Sequence, residues 1–262
     1  MHQLDEYLDQ VKQLPPAPTI LTELLVLLGQ PDIDVSQVVD IIAYDPSLTA
    51  AVLRLCNSAY FGTSSPAANL DEAITRVGFY EVYRLVAAIV GARTLSPPQK
   101  GYGLDTGELW KHAVTTAVAA QGMARRLEED SNLAFTAGLL HDIGKIILAQ
   151  ALEDRYTKVI EEIETKGHSF IEAEKTLIGV EHAEIGGRLL SRWNLPFSMV
   201  EAVCFHHDPA KAQSSPRLAA ITYLGNLISH YIGEAYGHEP FAFCGRPEAL
   251  ELLNVQESDL EQ

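Results

Sequence analysis

The feature that most constrains this chain is a repeated pairing of a helix cap with an apolar stripe of helical spacing, while no segment alternates convincingly at period two. Asp34 and Gln37 fit a capping box ahead of Val38, Ile41 and Ile42. Asp45-Pro46 reads as an N-cap with proline at the first helical position, followed by Leu48, Val52 and Leu55 on one face. Asn69 and Glu72 open a further unit carrying Ile74, Val77, Leu85 and Ile89. A cap satisfies backbone N–H groups that the first helical turn leaves without partners, so cap and stripe together mark where a helix starts and which side it buries. The pattern predicts an all-α fold.

Pro97-Pro98 and Gly101-Tyr102-Gly103 interrupt this series within residues 96–103, where a helix cannot continue. The break predicts a first helical lobe over residues 1–100 and a second lobe over 101–262. Within the second lobe, helices are expected over 107–128, 134–149 and 153–165. One more should run from the Ser169/Glu172 cap to Trp193, then others over 197–206 and 215–233, with a short tail helix at 247–253.

A length of 262 residues allows one large core or two smaller ones. The net charge of −16 disfavours nucleic acid and anionic lipid as partners. No basic and apolar leader opens the sequence, and the longest apolar run, near residues 85–92, is too short to span a bilayer, so a cytoplasmic location is expected. Cys56, Cys204 and Cys244 show no paired spacing and read as buried thiols.

Against this plain background the histidines stand out. His112, the pair His141-Asp142, His182 and the pair His206-His207 each lie on or beside a predicted helix. A lone helical histidine is more often a core or surface residue than a ligand. The stretch around His141 changes that weighting, because Ala137, Leu139, Leu140, Ile143 and Ile147 place His141 and Asp142 in apolar surroundings. A buried carboxylate there needs a cation or hydrogen-bond donors. Imidazole and carboxylate together suit a first-row divalent metal (Fe, Mn, Ni or Zn), as one or two ions. Gly138, Gly144, Gly186 and Gly187 suggest close approach of neighbouring backbones. His2, His168, His230 and His238 read as structural or exposed.

These residues resemble the HD-domain superfamily of metal-dependent phosphohydrolases, and more closely its HDOD branch, the HD-related output domain of bacterial signalling proteins. The resemblance runs from about Leu14 to Ser229. It rests on Leu14-Pro15-Pro16-Ala17-Pro18, Asp45-Pro46-Ser47-Leu48, the segment Leu53–Ala59, Ala73–Gly78, Trp110-Lys111-His112, Gly138–Gly144, Glu181–Gly186, Trp193-Asn194-Leu195-Pro196 and His206-His207. It implies an HD-domain-like helical bundle. In two-metal members, the equivalents of His112, His141, Asp142 and a final Asp hold one ion. The equivalents of Asp142, His182, His206 and His207 hold the other. Here Asn226 stands where the final Asp is expected, and an amide oxygen is a poorer ligand for a divalent ion. The Gly-Tyr-Pro element of the related cyclic di-GMP phosphodiesterases is absent after His206-His207-Asp208.

Three readings follow. The resemblance implies first a non-catalytic output module that meets signalling proteins in trans. The second is a working metal-dependent phosphohydrolase acting on a phosphorylated small molecule or nucleotide, with Asp142 as principal ligand and Lys145 at the phosphate. The third is a scaffold in which the histidines only hydrogen-bond, and it is disfavoured because enclosed polar groups are costly without partners.

Overall fold

The caps that the sequence advertises are formed by the side chains expected to form them. In the computed structural model, which describes residues 8–9, 15, 17–30, 32–62, 66–167, 169–234 and 247–256, the chain is helical and the described residues contain no strand beyond an isolated bridge between Gln99 and Leu104. Two compact units are present: Pro16–Arg93, and Thr94–Gln262 together with Met1–Pro15.

The first unit contains α1 (Thr19–Leu28), α2 (Val35–Ala43), α3 (Pro46–Cys56), α4 (Leu70–Val77) and α5 (Phe79–Leu95), whose last two residues pass into the second unit. Its buried apolar residues include Val38, Ile42, Leu48, Val52 and Ile74 of the expected stripes, while Ile41, Leu55, Val77, Leu85 and Ile89 are half-buried. Asp34 caps α2 by accepting from the Ser36 N–H and hydroxyl at 2.9 and 2.8 Å, so the partner is Ser36 and not the expected Gln37. Asp45 caps α3 through the N–H groups of Ser47 and Leu48 at 2.9 and 3.0 Å and also accepts from Arg93 Nη1 at 2.7 Å. Asn69 accepts from the Glu72 N–H at 2.9 Å. Between α3 and α4, Asn57 clips the chain to Ala67: its amide donates to the Ala67 carbonyl at 3.0 Å and its oxygen accepts the Ala67 N–H at 2.7 Å.

The second unit contains α6 (Glu108–Arg126), α7 (Ser131–Leu140), α8 (Ile143–Leu152), α9 (Tyr156–Lys166), α10 (Phe170–Ile178), α11 (His182–Arg192), α12 (Phe197–Cys204), α13 (Pro216–Ser229) and α14 (Pro247–Leu253), with a π-type turn at His230–Glu234. Two expected helices are each divided. The one over 134–149 breaks at His141-Asp142, which therefore form a turn between α7 and α8 and do not sit within a helix. The one from Ser169 to Trp193 breaks at Gly179, whose φ of +88° ends α10 and leaves His182 as the first residue of α11. Both breaks let short helices turn back on each other, which is what concentrates the polar residues.

Small residues bring the helices close. A Cβ on Gly138 of α7 would lie 2.9 Å from the Ala117 Cα of α6, and one on Gly225 of α13 would lie 2.9 Å from the Thr116 carbonyl oxygen. Beyond these contacts, Ala120, Ala124, Ala134, Ala220, Ile221, Leu224, Ala249 and Leu253 form the core shared by α6, α7, α13 and α14. Cys56 is buried and Cys204 half-buried, both as free thiols, while Cys244 lies outside the described residues. No described helix is long and apolar enough to cross a membrane.

Candidate metal centre

The close packing of α6, α7, α8, α11 and the end of α12 gathers His112, His141, Asp142, His182, His206 and His207 at one place in the second unit. Two groups of side chains are spaced to hold a metal ion: His112 with His141 and Asp142, and His182 with His206 and His207. In each group the ligand atoms lie within 4.8 Å of one another. Asp142 stands between the groups and divides its oxygens between them. Its Oδ2 lies 3.3 Å from His141 Nε2 and 3.7 Å from His112 Nε2. Its Oδ1 lies 3.1 Å from His182 Nε2 and 3.8 Å from His206 Nε2. His207 Nε2 lies 2.9 Å from His182 Nε2, completing the second group.

Four of the five imidazoles are aimed by their other nitrogen. His141 Nδ1 donates to the Gly138 carbonyl and His206 Nδ1 to the Val203 carbonyl, both at 2.7 Å. A carbonyl only accepts, so both rings carry their proton on Nδ1 and turn the Nε2 lone pair toward Asp142. His112 Nδ1 lies 3.0 Å from Ser229 Oγ. His182 is held hardest: the Glu174 carboxylate accepts from its Nδ1 at 2.8 Å and from its backbone N–H at 2.8 Å. Glu174 also accepts from the Tyr102 hydroxyl at 2.6 Å and is fully buried.

The surroundings separate the protonation states. Burial, with the nearby His141, holds His112 well below the usual imidazole range, and burial does the same for His206. Burial also presses on His182, but the Glu174 charge and the hydrogen bonds to Asp142 and Glu174 outweigh it and push the pKa up to about 10. Burial works to raise the Asp142 pKa, yet the Lys145 charge and the hydrogen bond from His182 hold its carboxyl well below the usual carboxylate range. Lys145 is 2% exposed with its Nζ 2.9 Å from Asp142 Oδ2, so the lysine that the phosphohydrolase reading sets at the phosphate is a buried partner of the central carboxylate.

The donor set fits a divalent ion. His141 Nε2 and His206 Nε2 are buried and make no hydrogen bond, an expensive arrangement for an imidazole unless a cation takes the lone pairs. Asn226 is 2% exposed and its Oδ1 makes no hydrogen bond either. It stands one turn before Ser229 on the face of α13 that reaches His112, where the resemblance expects a carboxylate.

Four residues of this region were not singled out by sequence. Ser229, Glu174 and Tyr102 orient ligands or hold the residues that do. The His230 ring, read as structural, has its centroid 4.8 Å from that of His112. Of these, only Glu174 left a signal: it occupies the apolar face of α10 with Phe170 and Ala173, where a carboxylate is costly without partners. His2, His168 and His238 lie outside the described residues.

The fold is shared with solved structures. A Geobacter sulfurreducens HDOD domain protein with unknown function superposes with a TM-score of 0.79 at 23% identity, over 98% of this chain and 85% of its own, a likeness of fold. A Shewanella amazonensis SB2B protein described as a candidate phosphohydrolase superposes with a TM-score of 0.72 at 26% identity, over 95% of this chain and 88% of its own. By sequence, an uncharacterised Treponema pallidum protein is 27% identical over 230 residues, which is 86% of this chain but 44% of that protein. A ribonuclease Y of Thermus thermophilus is 36% identical over 143 residues, 55% of this chain and 20% of that enzyme. The chain thus spans less than half the length of either relative. The HDOD domain model matches residues 14–209, and with the two histidine groups assembled around one aspartate, the chain belongs to the HDOD family.

Proposed function

We propose that this chain is a signal-transduction output module that holds one or two divalent ions in a degenerate HD-type centre and acts through contacts with signalling proteins. The observation that carries this reading is Asn226. It is buried one turn before Ser229, which meets His112, and its side chain offers a neutral oxygen where a two-ion hydrolytic centre of this kind would use a carboxylate. The second group, with Asp142 Oδ1, keeps a full donor set, so the centre retains a holding role after losing its symmetry. His112, His141 and Asp142 would hold the first ion, and Asp142, His182, His206 and His207 the second. A bound ion would supply Lewis acidity and positive charge to the pocket. The residues supply orientation: the Gly138, Val203 and Glu174 acceptors keep three rings turned inward, and Lys145 offsets the buried Asp142 charge.

A second reading, a working phosphohydrolase, is favoured by Lys145. Its buried ammonium beside Asp142 is suitably placed to neutralise a phosphoryl oxygen brought to the centre, and the Shewanella relative is described as a candidate enzyme of that type. Metal content and turnover decide between the readings. The protein, purified without a metal-leaching resin, should contain transition metal by mass spectrometry and leave bis(p-nitrophenyl) phosphate intact, while Asn226→Asp should gain turnover. Wild-type turnover that disappears in Asp142→Ala would replace the first reading with the second. A protein that cannot be loaded with any divalent ion overturns both.

A further inference from the structure

Tyr102 touches both supports of the metal centre at once. Its hydroxyl donates to Glu174 Oε1 at 2.6 Å, and Glu174 in turn grips His182 by ring and backbone. Its ring lies under Lys145, with Nζ 5.8 Å from the centroid, and Lys145 pairs with Asp142. This is within the range where a ring face attracts a cation. The ring is fixed from its other surroundings by stacking on Phe170, with centroids 4.8 Å apart and planes at 19°. One residue therefore borders the chains of contact that lead to His182 and to Asp142.

The segment that carries Tyr102 is short and closed on itself. The Gln99 and Leu104 backbones exchange hydrogen bonds at 3.0 and 3.1 Å, the Tyr102 N–H donates to the Gln99 carbonyl at 2.9 Å, and the Gly107 N–H reaches back to Ser96 at 2.8 Å. Gly101 lies so close to α8 that a Cβ would sit 2.9 Å from the Ala149 Cα. Tyr102 and Leu104 are each 3% exposed. Such a loop behaves as one piece: its internal bonds hold it together, while Tyr102 and Gly101 seat it on the centre.

We infer that Tyr102 is a positioning residue of the metal centre, acting through Glu174 on His182, and that ion binding and the ordering of the Gln99–Leu104 segment are coupled through it. This rests on the reading that the chain holds a metal ion. The coupling is reciprocal: if the ion tightens the seat of Tyr102, the seat of Tyr102 strengthens ion binding by the same factor. Removing the partner that orients a ligand commonly costs about 10- to 100-fold in metal affinity, and Tyr102 stands one residue further out, so a loss of about tenfold is expected.

The test uses the full chain and Co2+ alone, with affinity from titration of its visible absorption and ordering from hydrogen–deuterium exchange of the peptide spanning residues 97–106. Wild type should bind Co2+ and slow exchange in that peptide. Tyr102→Phe keeps the stacked ring and removes one hydroxyl; it should bind Co2+ about tenfold more weakly and lose most of the exchange response. Glu174→Gln removes the charge at the next link and should alter the Co2+ absorption bands themselves, because His182 is reoriented. Should Glu174→Gln fail to fold, Tyr102→Phe decides alone. Equal Co2+ affinity in Tyr102→Phe and wild type, or a peptide indifferent to Co2+, overturns the inference and leaves the metal-holding reading intact. A wild-type protein that takes up no Co2+ overturns both.

Discussion

Gly144 abuts the His182 backbone so closely that a Cβ on it would overlap the His182 carbonyl oxygen and lie 2.8 Å from the Gly186 N. The obstacle is backbone on both sides, so no side-chain rotation relieves it. The glycine two residues after Asp142 is thus what allows α8 and α11 to meet, and their meeting brings Asp142 within 3.1 Å of His182.

Gly144→Ala should therefore destabilise the second unit by about 1–3 kcal/mol or more, the cost of overpacking, and should abolish divalent-ion uptake. Gly122, exposed on α6 with no atom within 4 Å of an added Cβ, is the control. Gly122→Ala should be neutral or stabilising by up to about 1 kcal/mol, since alanine is the better helix former. Thermal unfolding followed by circular dichroism, with metal content measured in parallel, compares the two. Similar behaviour of both variants would remove the packing argument.

Lys145→Met tests the charge balance of the centre. Without the ammonium at 2.9 Å, the buried Asp142 loses one of its two close cationic partners, a change of up to about 3–5 kcal/mol for buried pairs. The metal-free protein should unfold earlier than wild type, and the increase in melting temperature on adding Mn2+ should be larger in the variant, because an ion offsets the missing charge. A smaller metal-induced increase than in wild type contradicts this account.

In the first unit, Asn57 carries two hydrogen bonds to Ala67 and closes the connection between α3 and α4. Asn57→Ala should cost about 1–3 kcal/mol and speed amide exchange at Ala67. Asn57→Asp can still accept the Ala67 N–H but cannot donate to the Ala67 carbonyl, so its cost should fall between alanine and wild type with Ala67 still protected. Equal exchange at Ala67 in all three proteins would show that the clip does not close the loop.

Asp45 predicts an acid limit for the same unit. Hydrogen bonds from Ser47, then Arg93 and the Leu48 N–H, hold its carboxyl well below the usual carboxylate range. A carboxylate with a depressed folded pKa stabilises the fold above its unfolded pKa of about 3.9, and that contribution is lost as pH falls through the folded value. The resistance of wild type to urea should thus fall steadily below about pH 4. Asp45→Asn keeps a competent cap while removing the titrating charge, so its unfolding should be flatter over that range. An unchanged pH dependence would falsify the assignment.

Local chemistry was legible from the residues alone. Asp45, Asn69 and Ser169 cap helices because a short side chain beside a free N–H needs only its immediate neighbours to act. The all-α architecture follows from the same local pattern. The ligand set drew attention because histidines and an aspartate stood among apolar residues.

Other features were decided by tertiary structure. The breaks at His141-Asp142 and Gly179 divide stretches whose helical periodicity is continuous, and the packing of α8 on α11 through Gly144 needs both turns. Glu174 and Ser229 reach their histidines across separations of 8 and 117 residues, and Tyr102 reaches Glu174 across 72. No sequence pattern specifies a partner over such spans. Their roles exist only once packing has brought them together: a side chain's composition states what it can bond to, and the fold alone states what lies within reach.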